Sequence, residues 1–384
     1  MKKILIIGHV WPEPSSTAAG TRMLQLIDFF RSEEFEVMFA SAASKTDKSY
    51  PLSQLNVTEV EIKLNHHSFD VWIEDLSPDI VMYDRFMVEE QFSWRVTESC
   101  PTALQILNTE DLHFVRKGRE EGYDLESQEL LLTDTAKREI ASIYRSDFSL
   151  IISEAEMEFL VASVGIPEAV LFYLPFMINE ISDGAVAKLP DFEKRIDFIT
   201  IGSFKHSPNV DSVRYLKSEI WPKIREALPQ VKLHVYGSYA NQNHLSMQSE
   251  KDGFFVNGFV KESDLAFQNA RICLAPLRFG AGLKGKVFEA LVNGTPCVMT
   301  PISAEGIFAT DHSSRVIADD PVTFANYAVE LYKNQSQWEE CQLTGIEIIN
   351  TKFAKFKHNN RFRDKLHTIL SDIATHRKNN FMGE

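Results

Sequence analysis

Cysteine is scarce. The 384 residues hold four, Cys100, Cys273, Cys297 and Cys341, too far apart for a Cys-x-x-Cys pair. That spacing excludes a disulfide-stapled scaffold and reads as buried thiols in a reducing cytoplasm. Long apolar runs are missing too. Lys2 and Lys3 lead only into Ile4-Leu5-Ile6-Ile7 before Gly8, too short for a signal-peptide core, and nothing approaches the roughly 20 apolar residues of a membrane span. Positive charge is in deficit: 40 Lys and Arg against 54 Asp and Glu leave a net charge of −14. So acidic a surface repels phosphate backbones and excludes broad nucleic-acid binding, though not one small anion held by a few lysines. His66-His67, His206, His234 and His312 form no metal-ligand spacing, so no metal is expected. Low-complexity tracts and short-period repeats do not occur in the sequence. The remainder is ordinary for a globular chain, 44% hydrophobic and 24% charged, at a length that suits two domains.

What is present is alternation. Strand-like runs at 3–8, 36–41, 57–62, 79–83, 102–107, 148–152 and 170–174 enclose amphipathic stretches such as 21–32, 126–145 and 154–164. In the first of these, Leu24, Ile27 and Phe30 recur at helical spacing. The rhythm breaks after residue 178, and 179–195, with Gly184, Pro190 and several charges, reads as a linker. Strands then resume at 196–202, 232–237, 254–256, 272–276, 296–300 and 315–317, with helices near 211–228, bent at Pro222, 263–269 and 283–293. Strands alternating with helices imply right-handed crossovers and parallel sheets. The expected class is α/β, with two Rossmann-like, doubly wound domains at 1–178 and 196–356 facing a central cleft. Residues 357–384 are expected to form a helical segment crossing back to the first domain.

The final helices run from Pro321 to about Thr375. From Lys352 to Lys365, six basic residues stand against one acid, Asp364, interleaved with Phe353, Phe356 and Phe362 and followed by Leu366 and Ile369. Two readings stay open: a helix packing its apolar stripe on the domains, or a peripheral contact with anionic lipid.

The most informative segment runs Ala275-Pro276-Leu277-Arg278-Phe279-Gly280-Ala281-Gly282-Leu283-Lys284-Gly285-Lys286-Val287-Phe288-Glu289. It leaves a strand, passes three glycines and enters a helix. Glycines admit close approach of a ligand to the backbone, and the first helical N–H groups lack partners within the helix, so the turn suits a diphosphate. Lys284 and Lys286 add charge, and Glu289, one turn inward, can accept hydrogen bonds from sugar hydroxyls. The same residues match G-x-G-x-x-G, with Glu305 twenty residues after Gly285 in the position of a ribose-binding acid. An NAD-dependent oxidoreductase is therefore an alternative, and glycines that merely ease strand-to-helix packing are a third reading.

Around this segment stand Ile199-Thr200-Ile201-Gly202-Ser203-Phe204-Lys205-His206, Val256-Asn257-Gly258-Phe259-Val260, Asn293-Gly294-Thr295-Pro296 and Ala304-Glu305-Gly306. In that order and spacing they resemble the C-terminal domain of glycosyltransferase family 4, retaining enzymes of GT-B fold among the group 1 glycosyl transferases. The likeness spans roughly 196–306, and Asn108-Thr109-Glu110-Asp111-Leu112-His113-Phe114-Val115-Arg116 is similar to a segment of a bacterial branch. No D-x-D occurs in the chain, which fits the metal-independent GT-B class.

The resemblance implies transfer of a hexosyl group from a nucleoside-diphosphate sugar, UDP or GDP foremost, with no bound cofactor. The acceptor would be a glycan, lipid-linked or protein-glycan hydroxyl in bacterial polysaccharide or glycoconjugate synthesis, in the cytoplasm or at the inner face of the membrane. Lys286 and Lys284 would grip the diphosphate, Lys286 acting in catalysis, with Gly280, Gly282, Gly202 and Ser203 lining it. Glu289 would hold the ribose, and Phe259 and Val260 would lie beside the base. One departure stands out: many family members carry an acid eight residues before the position of Glu289, where this chain has Ala281. That opens a further alternative, a sugar-nucleotide-binding protein without catalysis.

On the acceptor side, Gly20-Thr21-Arg22 follows a loop at 11–19 that the resemblance places against donor phosphate or acceptor. Arg22 is either that contact or a first-turn surface residue. Asp111 and His113 lie just past the strand at 102–107, at the carboxyl edge where ligands of such sheets bind, and are the expected catalytic pair. The family's histidine falls at His113 or, by strict counting, at Asn108, and His113 also reads as a satisfied structural residue. Trp11 and Phe114 would stack on a sugar or pack.

Overall fold

The computed structural model describes residues 2–308 and 315–380, so His312 and the last four residues of the expected C-terminal segment lie outside the described residues. In it the first seven strand-like runs become β1 (Lys3–Gly8), β2 (Glu36–Ser41), β3 (Thr58–Glu61), β4 (Ile80–Asp84), β5 (Leu104–Asn108), β6 (Phe148–Ile151) and β7 (Leu171–Tyr173). They form one parallel sheet in the order β3-β2-β1-β4-β5-β6-β7, with Ile4 registered on Val37 to one side and Ile80 to the other. β4, β5 and β6 are buried along their whole length, as strands with helices on both faces must be, which is why they read as unbroken apolar runs.

The core of this unit joins Phe29, Phe30 and Phe148 to Phe362, Leu366 and Ile369 from the helix Lys355–Ser371. The Phe362 ring lies 4.5 Å from that of Phe29. The apolar stripe of the basic C-terminal segment is thus a packing surface. Its charges are partly spent as well: Arg363 makes a two-pronged pair with Glu33 at 2.6 and 2.7 Å, and Lys355 pairs with Asp28.

A second sheet contains β8 (Ile196–Ile201), β9 (Leu233–Tyr236), β10 (Phe254–Gly258), β11 (Ala270–Ala275) and β12 (Cys297–Met299), all parallel, in the order β10-β9-β8-β11-β12. The strand expected at 315–317 is reduced to a single bridge between Met299 and Ile317. The helix expected at 211–228 runs instead from Ser207 to Ala227, with a widened turn over Leu216–Ile220. Pro222 has no N–H to donate back along the helix, and the turn opens just before it.

The chain divides into two compact units, one of Met1–Pro14, Ala19–Met177 and Lys355–Glu384, the other of Ser15–Ala18 and Ile178–Ala354. The stretch read as a linker, 179–195, therefore belongs to the second unit. Arg195 is the reason: wholly buried, it donates to Pro190 O, Phe267 O, Ala270 O, Thr295 Oγ1 and Asn293 O. Phe192 beside it packs edge-on against Trp338 at 5.7 Å.

Strand order fixes where ligands can enter. In each sheet the chain first builds outward on one side of its opening strand and then on the other, so successive connections diverge between β1 and β4 and between β8 and β11. At such a switch point the loops leaving the carboxyl ends part and open a crevice.

Candidate functional site

In the second unit the loop between β11 and the helix Gly285–Val292 stands at the switch point. Gly280 and Gly282 have φ of 154° and 62°, in the region that favours glycine, and let the loop turn sharply. Lys284 caps the helix in an extended conformation, and its Nζ donates back to Gly282 O at 2.7 Å while lying 3.5 Å from Glu305 Oε2. It braces the loop rather than standing clear for an anion. The same contact engages Glu305, the acid of the dinucleotide fingerprint, and that fingerprint follows the fourth strand of its sheet instead of the first.

Lys286 differs. It is 8% exposed, and among the described residues no carboxylate comes within ion-pair distance of it. Burial pushes its ammonium down to about 8, with only the neighbouring thiols of Cys273 and Cys297 opposing. Such a cation lacks a counter-charge that an anion can supply. Glu289 turns back along the helix, its Oε1 4.0 Å from the place a Cβ on Gly285 would occupy. Burial, with Asp264 adding, lifts its carboxyl to about 7.

On the other side of the switch point, Gly202 and Ser203 leave β8. A Cβ on Gly202 would fall 2.6 Å from the side chain of Asn209, whose Nδ2 donates to Ser203 O at 3.0 Å. Phe259 and Val260 follow Gly258 at the end of β10, two strands further out, and the Phe259 ring is 44% exposed. Gly202, Ser203, Gly280, Gly282, Lys284, Lys286 and Glu289 are thus gathered at adjoining strand ends, with Phe259 and Val260 on the flank. Among the described residues, no three His, Cys, Asp or Glu side chains are grouped to hold a metal ion.

The first unit departs further from expectation. Arg22 is no surface residue: it is wholly buried, its Nη1 donating to Pro175 O at 2.8 Å and its Nε to Asn108 Oδ1 at 3.4 Å. Gly20 is needed for packing, because a Cβ there would fall 2.4 Å from the Glu13 backbone. Trp11, donating to Ala43 O at 2.7 Å, and Phe114 are core residues, each 1% exposed.

Asp111 and His113, the expected catalytic pair, are built into the start of the helix His113–Glu121. Burial opposes ionisation of Asp111, yet Arg116 and His113 hold its carboxyl down to about 2. His113 Nδ1 lies 3.2 Å from Asp111 O, and the buried Glu139 accepts from the N–H groups of His113 at 3.1 Å and Phe114 at 2.8 Å. A carboxylate there satisfies the free donors of a helix start. This is a structural hub.

Further side chains meet at the ends of the strands beside them. Asp84 ends β4 and Arg85 follows it, Asn108 ends β5 with Glu110 two residues on, and the His9 N–H, after β1, reaches Asp84 Oδ2 at 3.4 Å. Asn108 Nδ2 donates to Glu110 Oε1 at 2.9 Å and to Asp84 Oδ1 at 3.3 Å, while Arg85 Nη1 donates to Asp84 Oδ2 at 3.2 Å. Burial and then Asp84 push the Glu110 carboxyl up to about 7, against the pull of Arg22 and Arg85. Of these, sequence reasoning raised only Arg22 and Asn108. The available signal was the end of each strand beside the switch point, which needs the strand order.

With this geometry in hand, comparison with known proteins is informative. The chain is similar to the structure of TarM from S. aureus in complex with fondaparinux, alpha-GlcNAc-glycerol and UDP (TM-score 0.71, 10% identity, 96% of this chain and 100% of that one). It is similar to HepE from Anabaena in complex with UDP-glucose (TM-score 0.70, 12% identity, 96% and 100%) and to a glycosyltransferase from Rickettsia africae (TM-score 0.66, 11% identity, 97% and 99%). The fold is GT-B. Within this GT-B chain, residues 195–334 match the family model of glycosyl transferases group 1. A sequence relative, an uncharacterized 44.6 kDa protein in the cps region of Klebsiella pneumoniae, is 26% identical over 162 residues. That match covers 40% of this chain and 41% of the relative, less than half of its length. No helix among the described residues is long and apolar enough to cross a membrane.

Proposed function

We propose that the protein is a retaining, metal-independent glycosyltransferase of family 4. It moves a hexosyl group from a nucleoside-diphosphate sugar to a hydroxyl of a glycan, lipid-linked or protein-glycan acceptor, in the cytoplasm or at the inner face of the membrane. The observation that carries this reading is Lys286, a nearly buried ammonium without a carboxylate partner among the described residues, at the start of a helix entered through glycines. Departure of the diphosphate builds negative charge, and Lys286 with the first N–H groups of the helix stabilises it where it develops. Gly202, Ser203, Gly280 and Gly282 line the phosphates, Lys284 holds the loop in shape, Glu289 accepts from the ribose hydroxyls, and Phe259 and Val260 flank the base. The leaving phosphate takes the acceptor's proton on the same face, so no strong protein base is required. UDP is the first nucleotide to try, because TarM and HepE were solved with UDP or UDP-glucose. The relative in a cps region supports a place in polysaccharide or glycoconjugate synthesis.

Thermal-shift titration with UDP, GDP, ADP, CMP and NADH tests the reading. A ligand at 100 times its Kd stabilises by about 2.7 kcal/mol, several degrees for a domain-sized unit. UDP or GDP is expected to give that shift. A shift with NADH alone would instead select the NAD-dependent oxidoreductase, whose ribose acid would be Glu305. Ala281, at the position where many family members carry an acid, favours one other outcome: nucleotide-sugar binding with neither hydrolysis nor transfer, the mark of a non-catalytic binding protein.

A further inference from the structure

We propose that Cys273 and Cys297, facing each other under the helix that starts at Gly285, form a two-coordinate site for one soft monovalent cation, copper(I) or silver(I), and that its occupation weakens anion binding at Lys286. That the anion is a diphosphate rests on the glycosyltransferase reading; the metal site itself does not. Transfer needs no metal on that reading, and this cation acts against it.

The two cysteines meet because of strand register. β11 and β12 are neighbouring parallel strands, and Cys273 is paired directly with Cys297. Side chains alternate between the faces along each strand, so residues in register share a face, and these two side chains hydrogen-bond to each other. Both are buried, and neither is tied up in a disulfide. The helix Gly285–Val292 packs on both strands. Lys286 stands in its first turn, and the two thiols are the groups that act on its charge.

Ligand number, softness and charge select the ion. Among the described residues no three His, Cys, Asp or Glu side chains group around a metal, so a cation here finds two thiols and not the four ligands that zinc or an iron–sulfur cluster takes. Thiolates favour soft ions such as copper(I) over oxygen-seeking ones such as magnesium. On loading, the cation bonds to both sulfurs and both thiol protons leave to solvent. The product carries one negative charge, beside a nearly buried ammonium that has no carboxylate partner among the described residues. A divalent ion would form a neutral pair and leave that ammonium uncompensated. Spacing agrees. Neighbouring strands lie about 4.8 Å apart, so upright side chains hold their sulfurs at a similar distance. Two metal–sulfur bonds in line, each about 2.3 Å as for zinc, span about 4.6 Å. A disulfide would need the Cβ atoms about 3.8 Å apart and would draw the strands together.

The test uses the full chain without oxygen, copper(I) supplied by a chromogenic chelator, and UDP affinity read by calorimetry before and after loading. The wild type is expected to take one copper(I) from the chelator. Loading is expected to weaken UDP binding roughly tenfold or more, the cost of losing a charged hydrogen-bond donor. Cys273→Ser and Cys297→Ser should each lose the copper(I), whereas Cys100→Ser and Cys341→Ser, in other elements, should keep it. Should the first two variants not fold, X-ray absorption at the copper edge of the loaded wild type serves instead, with two sulfur neighbours expected and any other set overturning the site. No uptake by the wild type, uptake that survives in folded Cys273→Ser or Cys297→Ser, or a loaded chain that binds UDP as tightly as the free one overturns the proposal. Uptake that needs both cysteines in a chain that never binds UDP upholds the metal site and removes the nucleotide reading; UDP binding without copper(I) uptake does the reverse.

Discussion

At the switch point of the second unit the strand ends carry glycines and one lysine without a carboxylate partner among the described residues; at that of the first they carry two carboxylates, two guanidinium groups and a carboxamide. The same parallel-sheet geometry thus presents two opposite surfaces. One offers backbone N–H groups and a lone positive charge, which suits an anion. The other is charge-balanced and rich in both donors and acceptors, which suits a neutral polar ligand. Topology decides where a ligand enters; the side chains at the strand ends decide which.

Removing the arginine from one site and the lysine from the other should move stability in opposite directions. Arg22→Ala takes one of two guanidinium groups from a buried network and leaves Asn108 Oδ1 and Pro175 O without their donor. The expected loss is about 3–5 kcal/mol, measured by urea unfolding. Lys286→Met removes a buried charge that has no carboxylate partner among the described residues, so stability should hold or rise. Transfer should nonetheless fall roughly 10²–10³-fold, as when one transition-state donor is deleted. Destabilisation of similar size by both variants would erase the distinction between the sites. Unchanged turnover in Lys286→Met would take this lysine out of the reaction.

How much of this was legible follows the same division. The glycine-rich loop is contiguous in sequence, so Gly280 to Glu289 stands out as a candidate from the sequence alone. Each of the twelve strands among the described residues overlaps a β-rich run, because strand propensity is local. The charged cluster was hidden. Its members lie up to 88 residues apart, at positions 22 to 110, and nothing local marks Glu110 as one of them. The positive φ at Glu110 turns the chain there, which leaves Asp111 and His113 to start the next helix. The supposed linker failed for a related cause: its glycine, proline and charges look solvated, but Arg195 is tied to groups 72 to 100 residues away as well as to nearby Pro190.

The proposed nucleotide site should also carry a narrow pH optimum. Lys286 has a folded pKa near 8 against 10.5 unperturbed, so the folded chain gives up this proton early and its unliganded stability rises between about pH 8 and 10.5. Diphosphate binding needs the charged form and should weaken above about pH 8, by up to about tenfold per unit. Glu289 runs the other way: raised to about 7 from 4.5, it makes stability fall as pH climbs through that window, and its carboxylate becomes fully available to ribose only above about 7. UDP affinity by calorimetry should therefore peak between about pH 7 and 8. Lys286→Met should flatten the alkaline limb and Glu289→Gln the acid one; an alkaline limb that survives Lys286→Met would place the titrating group elsewhere.

The smallest effect sharpens the comparison most. Gly282 in the loop after β11 has φ of 62°, and Gly122, at the end of a helix in the first unit, has φ of 84° with nothing within 4 Å of where a Cβ would lie. Replacing either by alanine forces an L residue into the left-handed region, at about 1–2 kcal/mol of stability in each case. If backbone approach is what the loop after β11 provides, only Gly282→Ala should also weaken UDP binding, because only there does a distorted loop change where N–H groups point. Equal strain with unequal binding separates a glycine kept for its ligand from one kept for its turn. Equal binding in both variants would mean that the loop after β11 does not touch the nucleotide.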